Sequence, residues 1–373
     1  GEIYMLPFYD ELTCNNPLAV RGDWLEKLGL AEPVTVADWE AVWRAIKAGD
    51  PNGNGLADEI PFSAGSIGGL RSLVAAYGML DTFYVDEKGD GTIRYSNIEP
   101  KYKEFLTWVA GMYKEGLIDS EIASATGTTF QGKVAENLVG SFRGTLNGNL
   151  NSFNTTIAPK IEGFYYIGTV PMQGPEGAQI HPGCNSFVRN DAIGGVVSAQ
   201  SKLPELCVAF VDPFYDKANG TMVAAFGIEG LSYTIEDGQP VFTDYIKKNP
   251  EGLSPMQALG TVCFLANGPS SSVATTSFQM WNPLTKEAFD KINAYYDDSI
   301  GYVVAALPFT SDEDAQRRSL MADITTYVDE NVIKFITGVT PIDQFDAFVE
   351  KVNAMGMPEV LKLYNTAYSR WSK

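Results

Sequence analysis

The stretch VRGDWLEKLGLAEPVTVADWEAVWRAI, residues 20–46, predicts two consecutive helices with a buried aromatic face. Gly29 stands where the first helix can end, because glycine readily adopts the left-handed conformation that closes a last turn. Thr35 can cap the second helix, and Asp38 follows it at the spacing of a capping box. The apolar side chains of the second helix recur at i, i+3, i+4 and i+7, at Trp39, Val42, Trp43 and Ile46.

Outward from this stretch, short strand-like runs alternate with helical patterns along the chain. The runs GFYYIGTVPM (163–172) and AIGGVVS (192–198) have the character of strands, and so does GEIYMLPF at the start. Helices are predicted over about 98–115, from Ser311 to near Gly338, from Thr340 to Gly356, and from Pro358 onward. Such alternation is typical of an α/β protein.

The composition limits the classes of function. The 373 residues are enough for two domains with sizeable cores. The 46 acidic residues outnumber the 27 basic ones, and the net charge of −19 argues against nucleic acid as a partner. No run of about eighteen uninterrupted apolar residues is present, so the sequence predicts no membrane-spanning helix.

The four cysteines share no CxxC spacing, which argues against a zinc site or a redox motif. Cys207 lies on the apolar face of a predicted helix, so we expect a small buried side chain there. The other three could pair if the protein is exported, and the sequence leaves their state open. His181 is the only histidine, and without a nucleophile-elbow signature around it we expect a loop residue.

The segment DPNGNGLADEIP, residues 50–61, places many oxygen atoms directly after the second helix. The candidate oxygens are the side chains of Asp50, Asn52, Asn54, Asp58 and Glu59 and the backbone carbonyl of Leu56. Alternate oxygens followed by a glycine are the opening of an EF-hand loop. The pattern breaks at Pro61, where the EF-hand has a bidentate glutamate, so Glu59 would have to close the site. The residues alone allow either a calcium site or a solvated polar turn.

Several phrases of the sequence, in this order, resemble one protein family. They are VRGDWLEKLGLAEPVTVADWEAV (20–42), DPNGNGLADEIP (50–61), GKVAENLVGSF (132–142), VVSAQSKLPELCVAF (196–210), FGIEGLSYTIEDGQPVF (226–242) and YVDENVIKFITGVTPIDQFDAFVEKVNAMG (327–356). The chain resembles the extracellular solute-binding proteins of family 1. The resemblance is to the lipoprotein branch of ABC importers, related to alginate-binding and other oligosaccharide-binding proteins.

The resemblance implies a two-lobed α/β fold of the type II periplasmic-binding-protein class, with ligand held in a cleft between the lobes. It places residues 9–190 and 291–373 in a larger lobe, and 1–8 and 191–290 in the remainder of the other. Family members usually carry a lipidated cysteine and further βα units before a strand such as GEIYMLP. We therefore expect the first lobe to lack its N-terminal part in this chain.

The resemblance also bears on candidate sites. Related members hold calcium in a loop of this kind, which favours a structural calcium ion at residues 50–61. Phe142 follows a strand where sugar-binding relatives place a stacking ring, although packing at the strand end is the alternative. Arg21 could fork hydrogen bonds onto sugar hydroxyls or a uronate, or else pair with Asp23. Trp281 could stack on a sugar or act as a hydrophobic staple.

The function implied by the resemblance is non-enzymatic. The protein would capture an oligosaccharide outside the cell and deliver it to the permease of an ABC transporter. It would reach the membrane only through a lipid anchor that this chain does not contain, at the cell surface or in the periplasm. Two alternatives stay open: a calcium-containing carbohydrate-active enzyme, and a calcium-dependent interaction module at the cell surface.

Overall fold

A computed structural model describes residues 5–189, 195–216, 220–253, 255–263 and 273–372. The chain divides into two compact units. The first unit comprises Gly1–Thr13 and Asn185–Lys286, and the second comprises Cys14–Cys184 and Glu287–Lys373. The lobe boundaries inferred from the resemblance remain a prediction.

The first unit is built from short elements. Its strands are β1 (Phe8–Tyr9), β8 (Val188–Arg189), β9 (Tyr233–Glu236) and β10 (Gln239–Phe242). Its helices are α6 (Pro204–Val211), α7 (Gly220–Phe226), α8 (Asp244–Lys247), α9 (Pro255–Leu259) and α10 (Ala274–Met280). Two antiparallel pairs, β1 with β8 and β9 with β10, account for these strands.

The second unit contains a four-stranded sheet and the longest helices. Its strands are β2 (Leu18–Arg21), β3 (Ile60–Ala64), β4 (Phe83–Val85), β5 (Ile93–Tyr95), β6 (Val139–Arg143) and β7 (Tyr166–Gly168). Its helices are α1 (Gly22–Leu28), α2 (Val36–Gly49), α3 (Ile67–Arg71), α4 (Pro100–Lys114), α5 (Gly127–Ala135), α12 (Tyr296–Ile300), α13 (Ser311–Ile336), α14 (Phe345–Ala354) and α15 (Met357–Trp371). The boundary with the first unit falls within α11 (Pro283–Asn293).

The sheet of the second unit has the order β3–β6–β2–β7. Strands β3 and β6 run parallel, with Ala64 opposite Arg143, whereas β2 is antiparallel to both of its neighbours. The carboxyl ends of β3 and β6 therefore meet at one edge of the sheet. In α/β sheets this is the edge at which ligands commonly bind.

The core of the second unit confirms the predicted aromatic face of α2. Trp39 and Trp43 are buried, and Trp43 stacks on Trp108 with ring centroids 5.9 Å apart. The Trp43 indole N–H donates to Ser141 Oγ at 2.9 Å, which ties α2 to β6. The predicted capping box at Thr35 is also present. The apolar repeat and the capping box are local signals, so they predict the helix without knowledge of the rest of the fold.

Some details differ from the sequence expectations. Cys207 is exposed, whereas the apolar pattern predicted a buried side chain. Helix α6 has no buried residue in the described structure, and the ring of Phe210 on the same helix is also exposed. After Thr340 a short 3₁₀ turn precedes α14, which begins at Phe345 rather than at Pro341. The predicted first strand is only β1, and residues 1–4 and 192–194 of the predicted strands lie outside the described residues.

Among the described helices, none has both the length and the apolar character needed to cross a bilayer.

Candidate functional site

A polar pocket of about 530 Å³ opens where β3 and β6 end in the second unit. Its walls come from the residues after β3, the start of α5, and the residues after β6. The polar side chains that line it belong to Asn16, Ser66, Ser72, Gln131, Arg143, Thr145 and Asn149. The size is in the range of small-molecule sites in proteins.

Glycines are frequent in the lining of this pocket. Six of them line it, at 65, 68, 69, 127, 144 and 148. A Cβ atom on Gly69 would lie 2.5 Å from the Ala64 Cβ, and one on Gly144 would lie 2.7 Å from Asn149 Oδ1. A side chain at position 144 would therefore displace Asn149 from the wall. The glycines leave backbone amides and carbonyls accessible to a ligand.

Arg143, the last residue of β6, is the cation of the pocket. Its half-buried side chain makes no ion pair and no hydrogen bond to any described residue. Burial lowers the pKa of Arg143 below its ordinary value, yet a guanidinium stays charged at neutral pH. A charge without a protein partner is poorly compensated, so this group is available for a polar or anionic ligand.

His181 lies behind this cation and is neutral. Its Nε2 is 2.6 Å from the Asn15 carbonyl oxygen, to which a neutral ring donates its N–H. Burial, and then the positive charge of Arg143, lower the pKa of His181 to about 3. The ring therefore supports the Asn15 loop and does not compensate Arg143.

Two amide side chains add planar hydrogen-bonding groups. Asn149 Oδ1 accepts from the Thr145 backbone N–H at 2.9 Å and from Thr145 Oγ1 at 3.0 Å. Its Nδ2 donates no hydrogen bond to a described residue, and the same is true of the Gln131 side chain. Phe130 supplies an aromatic surface to the wall, although only 2% of it is exposed.

Arg21, predicted as a ligand contact, lies in the core of the second unit. It is 1% exposed, and its guanidinium makes a bidentate pair with Asp23 at 2.7 and 2.6 Å. Its Nη1 donates to Asn137 Oδ1 at 2.6 Å, and its Cζ lies 4.1 Å from the Phe164 ring centroid. This placement favours the Asp23-paired alternative. Arg143, and not Arg21, lines the pocket.

The two predicted aromatic platforms are also buried. Phe142 is 0% exposed and packs edge-on against Phe153 and Tyr166, with centroids 5.3 and 4.9 Å away. Trp281 belongs to the first unit, is 8% exposed, and has its ring centroid 5.5 Å from that of Phe278. Neither residue lines the pocket, and a ligand role for Arg21, Phe142 and Trp281 stays a prediction.

The loop at residues 50–61 is closed by its own polar groups. The Asp50 carboxylate accepts backbone N–H groups from residues 53, 54 and 55, at 3.0 to 3.1 Å. The Asp58 carboxylate accepts the side-chain amides of Asn52 and Asn54 at 3.0 to 3.2 Å. Among the described residues, no group of three or more acidic, histidine or cysteine side chains converges as a metal site.

Glu59 is the exception in this closed loop. Its carboxylate is buried, and its Oε2 atom has no hydrogen-bond partner. Burial, followed by the charges of Asp50 and Asp58, raises the pKa of Glu59. A buried, unsatisfied carboxylate close to two others is a group that a bound cation would compensate. Oxygen atoms such as those of this loop are the ligands that calcium prefers in proteins.

Comparison with known proteins supports the fold. A search against models of protein families gives no match. The crystal structure of the alginate-binding protein AlgQ2 without calcium ion superposes with a TM-score of 0.79. It is 24% identical, over 99% of this chain and 75% of AlgQ2. This chain has the fold of the two-lobed solute-binding proteins. The predicted fold class is thus confirmed.

Two curated proteins are similar in sequence. One is FusA of Streptococcus pneumoniae serotype 4, a fructooligosaccharide ABC transporter substrate-binding protein, which is 38% identical over 133 residues. This match covers 32% of this chain and only 25% of FusA. The other is lipoprotein LipO of Bacillus subtilis (strain 168), 23% identical over 94% of this chain and 68% of LipO.

A structure of S. pneumoniae FusA in complex with kestose superposes with a TM-score of 0.75 at 22% identity, over 100% of this chain and 77% of FusA. FusA is thus a substrate-binding protein of an ABC transporter, and AlgQ2 is an alginate-binding protein, which agrees with the family that the sequence phrases resemble. These relatives are substrate-binding proteins rather than enzymes.

Proposed function

We propose that this chain is the solute-binding component of an ABC importer, which captures an oligosaccharide outside the cell and delivers it to a membrane permease. The observation that carries this proposal is the pocket at the carboxyl edge of β3 and β6, with Arg143, whose side chain pairs with no described residue. FusA and AlgQ2, whose folds this chain shares, are by name sugar-binding proteins. Its similarity to a lipoprotein, LipO, supports attachment at the cell surface.

The chemistry of the pocket suits a carbohydrate. Sugars present rings of hydroxyl groups, which take forked hydrogen bonds from planar amide and guanidinium groups. Arg143, Gln131 and Asn149 line the pocket and provide such groups, and the glycines add backbone donors and acceptors. None of the described residues that line this pocket is acidic, whereas the acid–base hydrolysis of a glycosidase uses a pair of carboxyl groups.

Calorimetric titration with kestose and with an alginate oligosaccharide tests this proposal, since one sugar is neutral and the other anionic. Saturable binding with the sugar recovered intact supports a binding protein. Hydrolysis products would instead favour the carbohydrate-active enzyme. Absence of binding to a broad panel of oligosaccharides would overturn the proposed function.

Arg143→Ala should weaken the binding of the sugar that the wild type binds by about tenfold or more. The variant removes a charged donor, and a hydrogen bond to a charged group is worth roughly 1.5 to 3 kcal/mol. Thermal stability should stay the same or rise, because the uncompensated charge is lost.

The control for this measurement is Arg44→Ala. Arg44 lies on the exposed face of α2, paired with Glu40 and Glu115, and does not line the pocket. Its removal should leave affinity unchanged. Equal affinities for the Arg143 variant and the wild type would show that the ligand lies elsewhere.

We further propose a structural calcium ion at residues 50–59, held by the side chains of Asp50, Asn52, Asn54, Asp58 and Glu59 and the carbonyl of Leu56. The support is the orphaned Glu59 Oε2 atom together with the relatives. One structural neighbour is an EF-hand mutant of FusA, with a TM-score of 0.74 at 22% identity, over 100% of this chain and 77% of FusA. The ion would neutralise carboxylates that otherwise repel one another.

Calcium should raise the melting temperature of the wild type, and EDTA should lower it. A ligand that binds only the folded state adds about 2.7 kcal/mol at a hundredfold excess over its Kd. Glu59→Gln should abolish this response. In EDTA the variant should be at least as stable as the wild type. The pKa of Glu59 is raised in the fold, so above the ordinary pKa of glutamate its ionised side chain destabilises the ion-free protein. Glutamine carries no such charge.

Glu136→Gln serves as the matched control for calcium. Glu136 is exposed and lies outside the loop, so this variant should keep the full calcium response. Identical melting curves of the wild type in calcium and in EDTA, together with no metal by elemental analysis, would contradict the calcium proposal.

A further inference from the structure

We propose that Cys14 and Cys184 form a disulfide bond in the mature protein. Both side chains are buried, and their Sγ atoms lie 2.9 Å apart. Two sulfur atoms at this separation are inside ordinary van der Waals contact. The bonded distance is about 2.0 Å, so only a small closing of the gap separates the two thiols from a disulfide.

The backbone holds the two cysteines in a suitable register. Cys14 and Cys184 lie directly opposite each other across an isolated antiparallel bridge. Two backbone hydrogen bonds flank the pair, from Asn15 N–H to Gly183 O at 3.0 Å and from Asn185 N–H to Thr13 O at 2.8 Å. The cysteines themselves are thus a non-hydrogen-bonded pair, in which opposed side chains approach most closely. The Cβ separation of such pairs is compatible with a disulfide.

The bond would constrain the pocket wall. Asn16 and Pro182 both line the pocket, and each lies two residues from one of the cysteines. The bond would also close a loop between positions 170 residues apart, which removes much conformational freedom from the unfolded chain. The first effect acts on the folded second unit and the second on the unfolded chain, and neither needs a ligand.

The reaction is an exchange with an external disulfide. The oxidant is a small-molecule disulfide or the disulfide of an oxidoreductase, whose S–S bond breaks as the bond between Cys14 and Cys184 forms. The two electrons and both thiol protons leave with the two thiols released from the oxidant. The expectation that the protein meets an oxidant rests on the proposed function, because exported proteins encounter oxidising conditions. The pairing itself rests on the geometry.

Folding should decide when the bond forms. The contact with Cys14 and then burial raise the pKa of the Cys184 thiol, which disfavours the reactive thiolate in the folded state. Oxidation should therefore take place during folding, and the finished bond should resist reductants until the unit opens.

The test uses the whole chain, refolded either with oxidised glutathione or with dithiothreitol. After alkylation in denaturant, the oxidised sample should show two alkylated cysteines, at 207 and 263, and one linked peptide pair containing Cys14 and Cys184. The sample refolded in dithiothreitol should melt lower by roughly 5 °C or more. Sugar binding is not used in this readout, so failure of the proposed function leaves the result interpretable.

Two double variants separate a disulfide from mere packing of thiols. Cys14→Ser with Cys184→Ser should melt at the same temperature after either refolding. Cys207→Ser with Cys263→Ser should keep the wild-type difference. Four alkylated cysteines after oxidative refolding, or a linked peptide that contains Cys207 or Cys263, would overturn the proposal.

Discussion

Replacing Arg21 with alanine should destabilise the second unit by roughly 3 to 5 kcal/mol. Arg21 is 1% exposed and Asp23 is 5% exposed. The Arg21 guanidinium donates two hydrogen bonds to the Asp23 carboxylate. Removing it leaves the Asp23 carboxylate buried without its partner, which costs far more than an exposed ion pair contributes. The cation–π contact with Phe164 is lost as well. Chemical denaturation followed by circular dichroism measures the change.

Two comparisons make the Arg21 result specific. Arg44→Ala removes an exposed ion pair and should change stability by less than about 1 kcal/mol. Arg21→Met combined with Asp23→Leu removes both charges and should recover much of the loss, since an apolar pair can replace a buried ion pair. A nearly stable Arg21→Ala variant with tenfold weaker sugar binding would instead support the predicted ligand role.

The helices near the start of the chain were predictable because their signals are local. Thr35 and Asp38 form the capping box that their spacing predicts, and Gly29 ends α1 in the left-handed conformation. Thr310 likewise caps α13, which begins at Ser311 as predicted. Each of these features depends on residues within one helical turn. Neither the sheet order nor the second unit's core is needed to infer them.

The pocket was not predictable in the same way, because its walls come from segments distant in sequence. Asn16, Ser66, Gln131 and Asn149 meet only because β3 and β6 pair in parallel with α5 between them in the chain. Parallel pairing cannot be deduced from the pattern of a single strand. A resemblance supplies the general place of a binding site, but not the side chains that reach it.

One local signal could have found Arg143. In the strand VGSFR, residues 139–143, neighbouring side chains point to opposite faces of the sheet. A buried Phe142 therefore requires Arg143 to point to the other face. The resemblance suggests Phe142 as a ligand contact or as packing at the strand end, whereas the alternation indicates that its neighbour Arg143 lines the pocket.

Phe142→Ala should destabilise the second unit by roughly 3 to 5 kcal/mol, the range for truncating a buried aromatic side chain. Phe142 is fully buried and contacts the rings of Phe130, Phe153 and Tyr166, so its removal leaves a cavity that this rigid cluster cannot easily fill. Chemical denaturation provides the measurement. Phe210→Ala is the control, because that ring is 70% exposed and its loss should cost less than about 0.5 kcal/mol. If Phe142→Ala retains wild-type stability but loses sugar binding, the ring stacks on the ligand as the sequence predicted, and its burial here does not represent the bound state.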